Sequence, residues 1–419
     1  MKSIVLNAPD GGEVTKEQWQ QALEAALEGR TLSKVLLLPP DLTRYHSRCG
    51  ELTNWLYHRL SPACRVDIMP ALGTHAPMTG DELSNMFGDI PHDAFLVHDF
   101  RNGCMKLGTV PGKFISEVSG GRLDYDIEVQ VNKAVFDGYD LILSLGQVIP
   151  HEVAGMANHA KNIFVGVGGI HMINRTHFLG AVCGMEAALG NDHAPVRQIF
   201  DYAAERFLKN LPIVYAMTVV RAESGRDVLK GVYIGEKRDA FEAAVAQSRR
   251  ENINWMAEPL RTAVCYMEPQ EFRSFWLSNK AIYRTRMAMA DCGKLIVLAP
   301  GVEKFGEDAE MDATIRRFGY HGTDYVLQAV KDNPALAHNL SAAAHLIHGS
   351  SECRFEIYYA APKMSREEVE NAGFIYLPWE EAMARYGGLK EGFNTIGGEQ
   401  VFYNPNPAMG LWRLGNDNS

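Results

Sequence analysis

Residues 150–177 read PHEVAGMANHAKNIFVGVGGIHMINRTH, which sets histidines at 151, 159, 171 and 177 around a lysine at 161. An imidazole with its ordinary pKa of about 6.5 exchanges protons near neutrality, which suits general acid–base work. His151 directly follows an apolar run and a proline, and His75 stands in a similar place in LGTHAPMT. Asp41 and Arg44 share the string DLTR, and a guanidinium fork there is shaped to clamp a carboxylate. Each of these has a plainer alternative: a helix cap for Asp41, a surface cation for Arg44, a solvated lysine at 161. His92 and His159 have no comparable support. The run GVGG at 166–169 is neither GxGxxG nor a Walker A loop, and no histidine pair has the HExxH spacing of a zinc site.

Side chains this far apart in sequence need a scaffold that gathers them. Apolar runs at residues 3–8, 34–38, 66–72, 94–100, 127–135, 141–148 and 163–170 predict buried strands. Helical spacing over 16–29 and near 52–60 predicts helices between them, and Thr79 with Glu82 forms a capping-box pattern opening another. Strands alternating with helices predict an α/β fold with a doubly wound, mostly parallel sheet. The carboxyl ends of such strands share one edge, so DLTRYH, GTH, HDFRN and PHEVAG are expected to converge on one crevice. Helices at 195–209 and 237–250 follow, with a polar, glycine-containing stretch between them. A smaller α/β block begins near 262–267. It is expected to hold a long helix over 269–290, strands at 294–299, 355–360 and 374–377, and helices between 307 and 348.

The predicted domains are 1–255, binding any cofactor, and 256–394, closing over substrate, with the active site in the cleft between them. A tail of about 395–419 is expected to return to the first. A length of 419 residues exceeds the roughly 150 of one typical domain. The formal charge of −10, without a basic stripe, argues against nucleic acid as a partner. No run approaches the roughly 20 apolar residues that span a bilayer, so no membrane partner is expected. Seven scattered cysteines without a CxxC fit reduced thiols, and the early N-terminus turns polar too soon for a signal peptide. Both features predict a cytoplasmic enzyme.

Taken together the strings resemble the lactate racemase (LarA) family, whose members use a nickel-pincer nucleotide. The family's D-x-T-R, GTH-x-PMT and PH-x-x-AG strings stand here as Asp41–Arg44, 73–79 and 150–155. Its lysine ten residues after the PH histidine is Lys161, and its histidine sixteen residues beyond that is His177. The resemblance implies that Lys161 tethers the nucleotide covalently and that His177 ligates the nickel. It implies that Asp41 and Thr43 help hold the nucleotide, that Arg44 binds the substrate carboxylate, and that His75 and His151 are the acid/base pair. Lys280 and Tyr45 would add substrate contacts. Removal of the C2 hydrogen of a 2-hydroxy acid as hydride, while a base takes the hydroxyl proton, avoids a dianion. Separate biosynthetic proteins would supply the cofactor.

Tyr45-His46-Ser47 replaces the proline that follows DxTR in lactate-specific members, and Met156–Ala160 replaces a Ser/Gly-rich segment before the lysine. With Asn158, His159, Ser278 and Asn279 as further donors, these residues point to a polyhydroxylated sugar acid (an aldonate such as mannonate or gluconate) inverted at C2. A short acid such as lactate or malate is the alternative. From other classes, a zinc metallohydrolase and a non-catalytic carboxylate-binding protein are the rivals.

Overall fold

In the computed structural model, which describes residues 1–223 and 225–415, the chain forms two compact units. The first comprises residues 1–179 and 187–252, and the second comprises residues 180–186 and those from 253 onward. The first is built on a six-stranded mixed sheet in the order Ile4–Asn7, Arg226–Gly235, Ile213–Glu223, Leu141–Gln147, Lys34–Leu38, Arg65–Ile68. Lys34–Leu38 runs parallel to both Arg65–Ile68 and Leu141–Gln147, and Ile213–Glu223 extends the parallel set. Leu23, Leu37, Leu143 and Val232 lie in the core between this sheet and its helices. The helices Lys16–Leu27 and Gly80–Phe87 both open from capping boxes, Thr15 with Gln18 and Thr79 with Glu82.

Several expected elements take another form. Residues 94–100 make no strand, only a single bridge from Phe95 to Ile68. The strand expected over 127–135 is Ile127–Asn132, and it pairs outside the main sheet with Cys104–Val110. The apolar run 163–170 is a π-helical turn, Asn162–Gly166, leading into the helix Ile170–Cys183. Its glycines explain the difference: a Cβ on Gly168 would lie 1.9 Å from the Phe164 carbonyl oxygen, a closeness only glycine allows. A short apolar run does not by itself separate a buried strand from a buried helix. The stretch read as polar between the two later helices is a long antiparallel hairpin, Ile213–Glu223 with Arg226–Gly235. Its β-branched, fully buried first half is the signal that the glycines masked.

The second unit holds six strands in the order Ile375–Tyr376, Glu356–Ala360, Met289–Leu298, Leu260–Tyr266, Glu399–Asn404, Gly392–Ile396. All neighbours are parallel except the final hairpin. The long helix expected over 269–290 is broken into Phe275–Ser278 and Lys280–Thr285. Ser274 caps the first piece, and Ser278 and Asn279 turn their side chains to the Tyr359 hydroxyl at 2.8 and 2.7 Å. Glu399–Asn404 sits inside this sheet, and Leu411–Leu414 pairs with Ile253–Met256. The C-terminal stretch through residue 415 therefore clusters with the second unit, while residues 416–419 of that expected tail lie outside the described residues. Among the described residues, no helix is long and apolar enough to cross a membrane.

The short hairpin Pro150–His151 with Gly155–Met156 depends on one glycine. Gly155 has φ +75°, and a Cβ there would meet the Asn191 carbonyl oxygen at 1.8 Å. Gly155→Ala should lower the unfolding free energy by roughly 1–3 kcal/mol from backbone strain alone, before any clash is counted. Denaturant melts of the two proteins check this.

Candidate active site

Three adjacent parallel strands end on one edge of the first sheet, and each feeds a candidate residue. Asp41 follows Lys34–Leu38, His75 follows Arg65–Ile68, and His151 follows Leu141–Gln147. The fourth expected string, HDFRN, stays out of this group. His98 is buried against the Gly168 carbonyl and the Asn132 amide, and Asp99 caps the backbone of Arg101 and Asn102.

Asp41 is buried, and both its oxygens are in use. One accepts from the backbone N–H (3.2 Å) and hydroxyl (2.6 Å) of Thr43, and the other lies 2.5 Å from His75 Nδ1. Burial works to raise the pKa of Asp41, but the hydrogen bond and charge of His75, then Thr43 and Arg44, outweigh it and hold the carboxyl below its ordinary range. Asp41 therefore orients His75, a pairing the sequence spacing of 34 residues did not signal. The His75 side chain remains 56% exposed at its other end.

His151 is buried in the hairpin turn, where its Nδ1 accepts from the backbone N–H groups of Val153 (3.1 Å) and Ala154 (3.3 Å). Burial first, and then the charges of Lys161, Arg44 and His177, push its pKa well below 6.5, although Glu152 pulls the other way. Lys161 is half-buried. Burial, then the charge of Arg44, brings its pKa down to about 8, with Arg197 adding to the effect and Glu152 and Asp41 opposing it. His177, on the helix Ile170–Cys183, is lowered to about 4 by burial and then by Lys161. Its Nδ1–H donates to the Ile173 carbonyl at 2.7 Å, which leaves Nε2 as a free lone pair.

Two residues that sequence reasoning did not single out fix the lysine. Asn162, next in the chain, donates its amide to the Leu38 carbonyl (3.1 Å), the Ser144 hydroxyl (2.9 Å) and the Leu145 carbonyl (3.3 Å). It thereby ties the π-helical turn to the ends of two strands. Arg197, fully buried, donates to the carbonyls of Met156 and Asn158. Between them and Lys161 stand Asn158 at φ +66° and His159 at φ +55°, both in the left-handed region that side chains enter at a cost. The family's Ser/Gly-rich segment is replaced here by a strained one held by a buried arginine. The His159 ring is packed against Tyr215 (4.1 Å) and Phe241 (5.0 Å) rather than turned to a ligand.

The remaining expected residues are placed differently. Arg44 makes no side-chain ion pair among the described residues and lies in electrostatic reach of Asp41, Lys161 and His151. Thr43 is spent on Asp41. Tyr45 is exposed and lines a hollow with Trp19, Trp55 and His58, apart from the other candidates. Lys280 belongs to the second unit, where its ammonium stands 3.6 Å from Glu271 and over the Phe272 ring. Ser278 and Asn279, expected as pocket donors, are buried in the Tyr359 network.

The first unit thus collects an aspartate–histidine pair, a buried histidine and a lysine of lowered pKa beyond three strand ends. Residues 15–190 match the lactate racemase N-terminal domain. It is 28% identical over 172 residues to a lactate racemase of Thermoanaerobacterium thermosaccharolyticum, covering 39% of this chain and 37% of that protein. It is 24% identical over 188 residues to a lactate racemase of Lactiplantibacillus plantarum, covering 44% and 40%. The matched region thus spans about two fifths of either relative. In fold, the chain is similar to a Thermotoga maritima protein of known crystal structure (TM-score 0.82, 24% identity, 97% of this chain and 99% of that one). It is also similar to the lactate racemase apoprotein of T. thermosaccharolyticum (TM-score 0.70, 17% identity, 98% and 100%).

Amine-reactive labelling of Lys161 should rise with pH through a midpoint near 8, because only the neutral amine attacks and its pKa is lowered from 10.5. In Arg197→Met the midpoint should move upward, since a cation that disfavours Lys161 protonation is gone. The same variant should lose about 2–3 kcal/mol of stability through its two unpaired carbonyls. Peptide mapping after timed labelling and a denaturant melt read the two effects.

Proposed function

We propose that this protein is a racemase or epimerase that inverts C2 of a 2-hydroxy carboxylate with a nickel-pincer nucleotide held at Lys161. The observation that carries the reading is the pairing of Lys161 and His177 in one electrostatic cluster, each kept toward its neutral form. A covalent tether needs a nucleophilic amine, and a metal ligand needs an unprotonated imidazole nitrogen. Lys161 offers the first. His177 offers the second through Nε2, with Nδ1 fixed on Ile173 as ligating histidines are commonly fixed by a carbonyl. The residues present therefore fit the group, which when bound would supply a hydride acceptor for the C2 hydrogen.

The rest of the chemistry falls to the chain. Arg44 holds the substrate carboxylate. His75, oriented by Asp41, stands as a base for the hydroxyl proton, and His151 faces the substrate oxygen from the turn at 150–155. Asp41 reaches the nucleotide only as a second duty, since His75 and Thr43 already occupy it. The partners are a small 2-hydroxy acid and the separate proteins that make the cofactor.

The expectation of a sugar acid loses most of its support. Four of the seven polar residues that favoured it are engaged elsewhere: His159 between aromatic rings, Ser278 and Asn279 on Tyr359, Ser47 on the Cys49 backbone. A short acid such as lactate or malate is the reading these contacts favour.

Protein purified from a host that makes the pincer nucleotide should gain several hundred daltons and bind nickel, and Lys161→Ala should carry no adduct. Full activity in that variant with tightly held nickel would contradict the tether. The loaded protein should invert lactate or malate, read by chiral chromatography of separate incubations. Turnover of aldonates alone would restore the sugar-acid reading, and zinc without an adduct would favour the metallohydrolase.

A further inference from the structure

The string HDFRN at 98–102 stays out of the group formed by Asp41, His75 and His151, yet it grips the chain between Lys161 and His177. That stretch turns at residues 166–169, where side chains cannot steady it. A Cβ on Gly168 would strike the Phe164 carbonyl, and one on Gly169 would strike the Gln130 side chain. Backbone groups hold the turn instead. The Asn132 N–H donates to the Val167 carbonyl (2.9 Å), the Gly169 N–H to the Gln130 carbonyl (3.1 Å), and the Ile170 N–H to the Phe100 carbonyl (3.0 Å). Ile170 opens the helix that carries His177, and its N–H is one of the donors that a helix leaves unpaired in its own first turn.

His98 completes the grip. Its ring is buried, and its Nε2–H donates to the Gly168 carbonyl at 3.1 Å while its Nδ1 accepts from the Asn132 amide at 3.0 Å. The two partners fix these roles: a carbonyl only accepts, and the Asn132 side chain is oriented by its oxygen, which accepts from the Ala134 N–H at 3.0 Å. A neutral ring serves both bonds, and burial brings its pKa down to about 4, with the Gly168 carbonyl and Asp99 opposing. Asp99 in turn shapes the string by accepting from the N–H groups of Arg101 (2.9 Å) and Asn102 (3.0 Å).

We infer that His98 is a positioning residue for the cofactor site: through the Gly168 carbonyl it sets where the helix of His177 begins relative to Lys161. This deepens the proposed function and rests on its reading of Lys161 as tether and His177 as metal ligand. With the tether fixed, a ligand at His177 serves only where the chain between the two keeps one course. Asn162 holds the Lys161 end by its own three hydrogen bonds, none of which involves His98. Loss of the His98 bond therefore acts on one end alone. It frees the start of the His177 helix and leaves the lysine in place.

The test compares two substitutions in the full chain, made in a host that supplies the nucleotide. His98→Gln carries an N–H to the place of Nε2, whereas His98→Asn keeps a polar group near Nδ1 and is too short to reach Gly168. Intact mass reads the adduct, and metal analysis after timed exposure to excess chelator reads nickel release. His98→Asn should carry the adduct at the wild-type level and release nickel about tenfold faster, while His98→Gln stays close to the wild type. Thr15→Ala removes a helix cap on another element, a purely structural loss, and should leave nickel release unchanged. Without cofactor, hydrogen exchange at residues 168–171 should quicken about fivefold in His98→Asn and not in His98→Gln. Wild-type nickel release from His98→Asn, release as fast from His98→Gln, or equal acceleration in Thr15→Ala would overturn the inference. Should His98→Asn fail to fold, Asn132→Ala, which frees the His98 ring, carries the same expectations. If the loaded wild type holds no nickel, the proposed function fails, while hydrogen exchange still decides whether His98 fixes the turn.

Discussion

Withdrawing several potential cations from water in one place pushes their pKa values down. Arg44 and Arg197 bear on Lys161, Lys161 bears on the imidazoles of His151 and His177, and Arg44 bears on His151 as well, against the opposing charges of Asp41 and Glu152. Burial disfavours every charged form, and each remaining positive charge disfavours the next. A guanidinium does not readily lose its charge, so the lysine and the imidazoles beside the arginines yield. A lysine that yields becomes a nucleophile, and an imidazole that yields becomes a donor for a metal or a proton. One electrostatic cause thus moves three side chains toward the neutral forms their proposed roles require.

That cluster exists only because the backbone is held against its own preferences. Asn158 and His159 adopt left-handed conformations just before Lys161, and Asn162 begins a π-helical turn just after it. Such irregularities persist where surrounding contacts over-determine them. Here the contacts are the Arg197 clamp on two carbonyls, the three hydrogen bonds of Asn162, and the aromatic packing of His159. A glycine-rich segment would reach the same backbone without a clamp. This chain reaches it with side chains that pack, and so links the lysine's position to the interior of the sheet and to the helix Pro195–Phe207, where Arg197 resides.

The residues at strand ends were legible in the sequence because parallel strands impose them: an apolar run, then Pro or Gly, then a polar string. Asp41, His75 and His151 were found that way. Capping boxes at Thr15 and Thr79 lie three residues from their partners, and the second was read directly. What stayed hidden depends on long-range contact. Asp41 and His75 are 34 residues apart, and Arg197 reaches back 39 residues to the Asn158 carbonyl, so no local pattern announces either bond. The run at 163–170 looked like a strand because its apolar content is right for one, while its glycines serve helix packing. The hairpin spanning 213–235 was hidden by its own glycines, although Ile213–Val220 is as apolar and β-branched as any strand in the chain. Polar residues near the site were read as pocket lining from their type alone, and Ser278, Asn279 and His159 show that type does not give direction.

The account's central claim is that the C2 hydrogen leaves as hydride and returns to the other face of the same molecule. Inversion of a 2-hydroxy acid by the loaded protein in deuterium oxide tests this most directly, with mass spectrometry and proton NMR reading the isotope at C2. The account predicts inverted product that retains its original C2 hydrogen, with deuterium absent from that carbon beyond the background of the acid alone. Inversion accompanied by one deuterium at C2 for each turnover would mean that a proton, exchanged with solvent, is what the side chains remove, and the account would be contradicted.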